Sequence, residues 1–252
     1  MRPETDLSDD AVLGGRLRLL QPRTGHRFGH DALLLAAAVH ASVGEHAIEL
    51  GSGVGAAGLA LAIRIAGLSV SLVEIDASLV ELAQENAERN GLAARVSTHC
   101  LDVTASAAAF ADAGLAAASF DHVLSNPPFN DPARHHASPD PGRRSAHLGP
   151  DLRTWVASAL RLLRPQGTLT VIYRADCLAD VLDAVAGDFG SIGVIPVFPK
   201  PNAAAIRVVV RAIKGSRGAL TLCPGLLLNE HGRPTQTAEA ILREGAALNF
   251  AE

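Results

Sequence analysis

Residues 46–66 read "HAIELGSGVGAAGLALAIRIA", and this stretch decides the fold. His46–Leu50 is a short run with strand character, and the Ala/Leu-rich residues 56–66 have helical spacing. Between them stand Gly51, Gly53 and Gly55. Glycine there permits a tight turn and lets a ligand approach bare backbone N–H groups. On its own the spacing fits G-x-G-x-x-G only loosely, and a plain strand-to-helix turn is the competing reading.

Working outward, the same alternation repeats. "SVSLVEI" (69–75), "ARVSTHCL" (94–101), "FDHVLS" (120–125) and "GTLTVIY" (167–173) read as strands. "SLVELAQENAERNG" (78–91) reads as a helix with Ser78 as N-cap, Glu81 three residues on and Gly91 as terminator. An Ala-rich stretch after residue 104, "DLRTWVASALRLL" (151–163) and "CLADVLDAVAG" (177–187) also read as helices. "SIGVIPVF" (191–198) and "AAIRVVVRAI" (204–213) are joined by "PKPNA", which predicts a hairpin and an antiparallel last strand. Repeated strand–helix units imply an α/β fold, a parallel sheet with helices on both faces. In the tail, "LTLCPGLLL" (220–228) suggests a strand and "TAEAILREGA" (237–246) a short helix.

Composition narrows the function classes. The chain has 252 residues, 48% hydrophobic and 19% charged, enough for one sizeable core. A net charge of −4 excludes a strongly basic nucleic-acid coat. The charge is uneven: −7 over residues 1–125 and +3 over residues 126–252, so a polyanion would meet the second half. Cys100, Cys177 and Cys223 lack C-x-x-C spacing, which argues against a disulfide framework or a zinc cluster. The N-terminus is acidic and unlike a secretory signal. The longest apolar run near it, Ala32–Val39, is too short to span a bilayer. A cytoplasmic protein without a membrane or metal partner is expected.

Three further strand ends carry chemistry. "VEID" puts an acid at the end of the second strand, where a carboxylate can accept two ribose hydroxyls. Glu74 is the better candidate for that role and Asp76 the second, since Asp76 also suits capping the next helix. "CLDVT" puts Asp102 where it can accept from an adenine amino group, or cap a helix, as Thr104 also could. The fourth strand ends in "SNPPF", Ser125 to Phe129. Four such features at the carboxyl ends of successive strands are far more specific than any one of them.

Together, "ELGSGVG…VEID…LDV…NPPF" resembles the S-adenosylmethionine-dependent methyltransferases that methylate amino nitrogens. The resemblance implies a Rossmann-like class I methyltransferase fold, a seven-stranded, mostly parallel sheet with an antiparallel last strand. It implies S-adenosyl-L-methionine as cofactor, with Gly51, Gly53 and Gly55 around its methionine part, Glu74 at the ribose and Asp102 at the adenine. Glu49 and Asn126 count among its further contacts. Asn126, Pro127 and Phe129 would be catalytic, with Pro128 on the substrate side. The segment "TGHRFGHDALLLAAAV" (24–39) is similar to one in bacterial methyltransferases of the adenine beside the anticodon of a valine tRNA. There it covers the cofactor, which would assign Arg27, Phe28 and Asp31. The ending "GRPTQTAEAILREGAAL" is similar to the same family's tail, with Pro234 and Gln236 departing from its pattern. The chain then divides into a covering segment 1–43, a methyltransferase core 44–214 and an extension 215–252.

RNA, above all tRNA, is the partner this implies. Arg134, Arg143 and Arg144 in the long stretch 130–150, and Lys200, could contact phosphates. A guanine amino group of ribosomal RNA is an alternative target. So is a release-factor glutamine, whose methyltransferases carry a related NPPY motif.

Overall fold

The computed structural model describes residues 6–24, 27–128 and 151–250. The chain opens with a hairpin that sequence patterning does not announce: β1 (Leu7–Val12) pairs antiparallel with β2 (Leu17–Pro22). Helix α1 (His30–Ala38) follows. The alternating part comprises β3 (His46–Leu50), α2 (Ala56–Arg64), β4 (Ser69–Glu74), α3 (Ala77–Arg89), β5 (Val96–Cys100), α4 (Ala107–Asp112), β6 (Phe120–Ser125), α5 (Leu152–Leu162), β7 (Leu163–Arg174) and α6 (Leu178–Val185). Strands β8 (Phe189–Phe198) and β9 (Arg207–Lys214) complete the main sheet.

Its seven long strands run in the order β8-β9-β7-β6-β3-β4-β5. All are parallel except β9, which is antiparallel to both β7 and β8. This is the seven-stranded sheet that the sequence implies. Two additions lie on its β8 edge, β10 (Thr221–Leu222) and β11 (Leu226–Leu227), each parallel to β8. They replace the single strand expected over 220–228, because Pro224 between them cannot donate to a ladder. A small hairpin, β12 (Asn229–Glu230) with β13 (Arg233–Pro234), leads into α7 (Gln236–Glu244).

The central strands β3 and β6 are buried on both faces, and two apolar layers result. One holds α1, α2 and Ala47 of β3; the other holds Ile48 and Leu50 of β3 with Phe110 of α4, Trp155 of α5 and Val181 of α6. Helix α1 is apolar all round, and Leu33 to Val39 are all at most 5% exposed. Such a helix must be covered on every side. The chain's end supplies part of that cover: Leu248 donates to the Ala37 carbonyl, and the Leu248 carbonyl meets His40. Phe250 fills the space against Gly193 that a side chain would claim.

Helix starts correct two details. Asp76, not Ser78, caps α3, accepting from the Ser78 N–H at 2.8 Å. Helix α4 begins later than expected and is capped by Ser106, so neither Asp102 nor Thr104 serves it.

Candidate active site at the carboxyl edge of the sheet

The carboxyl ends of β3, β4, β5 and β6 lie side by side, β3 being flanked by β4 and β6. Connections leave β3 and β4 towards one edge and β6 towards the other, so a crevice opens at this switch point. A shallow groove lined by His46, Ser69, Ser71 and Ser97 lies at the opposite, amino edge.

The glycine turn after β3 is strongly bent: φ is 71° at Gly51, 55° at Gly53 and 84° at Gly55. These are left-handed values that glycine adopts without a Cβ penalty. Gly51 has a second constraint, since a Cβ there would lie 2.6 Å from Cη2 of Trp155. The N–H groups of Gly51 and Ser52 both donate to the Val73 carbonyl, at 2.8 and 2.9 Å, fastening the turn to β4.

Glu74 closes the turn from the side. Its Oε2 accepts the Gly53 N–H at 2.8 Å, and its Oε1 accepts those of Ile75 and Asp76 at 2.8 and 3.1 Å. A carboxylate has about four acceptor sites, so about one is left for a ligand hydroxyl. Ile75, next in the chain, is 64% exposed, an unusual setting for a large apolar residue at a ligand edge. It escaped the sequence reading, although an apolar residue between two acids was a usable signal. Asp102 follows Leu101, whose N–H donates to the Glu74 carbonyl at 2.9 Å, and its Oδ1 accepts from both the N–H and the hydroxyl of Thr104. Oδ2 has no partner among the described residues.

Glu49 lies beneath α2. It is 4% exposed and accepts the Gly58 N–H at 2.7 Å. Burial pushes its carboxyl up to about 8, the Gly58 bond opposes this, and the Glu74 charge adds to it.

Beside this turn ends β6. The Ser125 hydroxyl donates to the Leu50 carbonyl at 3.0 Å, fixing the start of "NPPF" against β3. Asn126 follows with its Oδ1 buried and without a hydrogen-bond partner. Pro127 is buried and Pro128 exposed. Phe129, Arg134, Arg143 and Arg144 lie outside the described residues. Among the described residues, two more side-chain polar groups at this corner are buried without a partner: the Ser52 hydroxyl and the Trp155 indole nitrogen. Neither was singled out from sequence, because a missing partner is a property of the folded arrangement alone.

The N-terminal candidates are spread out. Arg27 bonds Asp10, Ser8 and the Pro22 carbonyl, so its guanidinium is held by the hairpin. The Phe28 N–H donates to Gln21 at 3.1 Å, and its ring packs on the α1 layer. Asp31 pairs with Arg207 at 2.7 Å. Arg207 is the cross-strand neighbour of Arg174 at the end of β7, so this pair does reach the carboxyl edge. Lys200 is exposed in the β8–β9 connection, on the same edge but with β7 and β9 between it and β6. The described residues contain no group of three or more metal-ligating side chains and no helix long and apolar enough to cross a membrane.

Residues 26–195 match the methyltransferase small domain family. The chain belongs to this family. A crystal structure of a predicted O-methyltransferase from Agrobacterium tumefaciens is 30% identical, with a TM-score of 0.74, covering 86% of this chain and 98% of that one. A tRNA1(Val) (adenine(37)-N6)-methyltransferase of Serratia proteamaculans is 30% identical over 157 residues, 61% of this chain and 57% of the relative. A release factor glutamine methyltransferase of Chlorobaculum tepidum is 27% identical over 161 residues, 61% of this chain and 53% of the relative. The chain thus matches little more than half the length of these two curated relatives. Its strand order and reversed β9 are those of class I methyltransferases, and as a member of the methyltransferase small domain family it takes S-adenosyl-L-methionine as cofactor.

Proposed function

We propose that this methyltransferase acts on an exocyclic amino nitrogen of a base in RNA, adenine of tRNA being the best-supported target, in the cytoplasm. The observation that carries the reading is the Asn126 Oδ1, a buried acceptor with no donor among the described residues, next to the backbone of Pro127. A buried acceptor left alone costs about 1–3 kcal/mol, so it is a place for a donor to bind.

The residues at the edge fit the cofactor: a glycine turn whose N–H groups at 51, 52, 53 and 55 are bonded within the protein but whose missing side chains leave room, a carboxylate at the end of β4 and an apolar side chain beside it. When bound, the cofactor supplies a methyl group already activated as a sulfonium. The remaining work is positional. An amino group conjugated to a purine must turn its lone pair out of the ring to attack. Asn126 Oδ1 accepting one N–H and the Pro127 carbonyl the other would hold the nitrogen as it pyramidalises and stabilise its growing positive charge. Phe129 and Pro128 would flank the flipped-out base. Two acceptors suit a nitrogen with two N–H groups better than a hydroxyl, which offers one. This favours nitrogen over the oxygen acceptor named for the Agrobacterium relative. Several curated relatives named for tRNA adenine methylation, including those of Serratia and Porphyromonas gingivalis, favour the base over other amides.

A glutamine side-chain amide also presents two N–H groups, and the Chlorobaculum relative carries that name, so a protein substrate is the second reading. The test is transfer from labelled S-adenosylmethionine to bulk tRNA, ribosomal subunits or release factor, followed by nucleoside analysis. Label in methylated adenosine of tRNA is expected. Label in protein alone would overturn the RNA reading, and label in ribosomal guanosine would move it to the other RNA.

A further inference from the structure

We infer that Trp155 and Ser52 form a carboxylate-binding wall for the amino-acid end of the cofactor. The inference rests on the cofactor lying over the Gly51–Gly55 turn. Trp155 is the chain's single tryptophan. It stands in the first turn of α5, whose N-terminus is capped by Asp151 accepting the Thr154 N–H at 2.9 Å. Its ring lies against Gly51, occupying the space that a side chain at 51 would need. Trp155 is 7% exposed and Ser52 6%, and among the described residues the indole Nε1 and the hydroxyl Oγ have no hydrogen-bond partner.

Both groups adjoin Gly51, Ser52 by sequence and Trp155 by its ring, and buried polar atoms are nearly always paired. Their chemistry defines what is missing. An indole N–H can only donate, so its partner is an acceptor; an ammonium group is excluded. The amino nitrogen to be methylated needs acceptors, and Asn126 Oδ1 supplies one. A ribose hydroxyl is matched by the acceptor site left on Glu74. Within the part of the cofactor that meets the first glycine of the turn, the acceptor left is the α-carboxylate. The Ser52 hydroxyl, which can also donate, stands next to Gly51 in the chain. Two neutral donors on one carboxylate orient the methionine chain without a buried cation.

The test compares two ligands that differ only in this group, S-adenosylhomocysteine and its decarboxylated analogue, by calorimetry on the full chain. The unaltered protein should bind the carboxylate form more tightly. Trp155→Phe keeps the ring against Gly51 and removes the N–H. It should weaken S-adenosylhomocysteine binding about ten- to hundredfold and leave the analogue unchanged, since one hydrogen bond to a charged group is lost. Ser52→Ala should show the same selectivity. Equal loss for both ligands, or no loss, would overturn the inference. A measurement without substitution guards against misfolding: the single indole N–H resonance should move downfield with S-adenosylhomocysteine and stay in place with the analogue. The same response to both would also overturn it. Failure of the unaltered chain to bind either ligand would instead remove the cofactor reading, and this inference with it.

Discussion

Asn86 grips Leu20 from both sides. Its Oδ1 accepts the Leu20 N–H at 2.7 Å, and its Nδ2 donates to the Leu20 carbonyl at 3.0 Å and to Val54 of the glycine turn at 3.1 Å. One turn on, Asn90 repeats the move on Arg18, at 2.9 and 2.7 Å. Helix α3 thus offers β2 two side-chain amides in place of a neighbouring strand. Asn86 has no exposed surface. Asn86→Ala would leave several buried backbone groups unpaired and should destabilise the fold by about 3 kcal/mol, read by urea denaturation. Asn90→Ala, nearer solvent, should cost about 1 kcal/mol. Equal effects would contradict the burial difference.

Asn126→Ala removes the unpartnered acceptor. Turnover should fall by roughly a hundred- to a thousandfold, as for loss of one preorganised transition-state contact. S-adenosylhomocysteine affinity should change little. Parallel loss of binding and turnover would assign Asn126 to the cofactor instead.

Glu74→Ala should act the other way. It removes the ribose acceptor and also frees the N–H groups of Gly53, Ile75 and Asp76. Cofactor affinity should drop at least tenfold, since these are charge-assisted bonds. Calorimetric titration checks this; an unchanged affinity would remove Glu74 from the site.

Glu49 makes a statement about pH. Its folded value, about 8, lies above the ordinary 4.5 because burial disfavours the charged form. The native state therefore holds a proton that the unfolded chain releases. This contribution is fully present below about pH 4.5, declines as pH rises and is lost by about pH 8. Denaturation midpoints should fall across that window. Glu49→Gln, which stays neutral, should flatten the decline and be the more stable protein at pH 8. Identical pH profiles would mean that Glu49 titrates normally.

Much of this architecture could be read in the chain because it is locally encoded. Strands β3, β4 and β6 are buried apolar runs ended by glycine, acid or proline, and such punctuation survives without context. Glu74 was separable from Asp76 on capping chemistry alone. The hairpin β1–β2 was not legible, since "LSDDAV" is polar and its partner β2 leans on Asn86 and Asn90, 66 to 72 residues away. Distance in sequence also hid the Asp31–Arg207 pair, 176 residues apart. Strand alternation sends Glu49, a cofactor contact by resemblance, beneath α2 and onto Gly58.

The all-apolar character of α1 has a consequence for the birth of the molecule. The helix leaves the ribosome well before Leu248, which shields its far end and lies 208 residues beyond His40. At about 5–20 residues per second, translation leaves this apolar surface waiting for roughly ten seconds or more before its cover exists. During that interval Leu33 to Val39 form a sticky nascent segment.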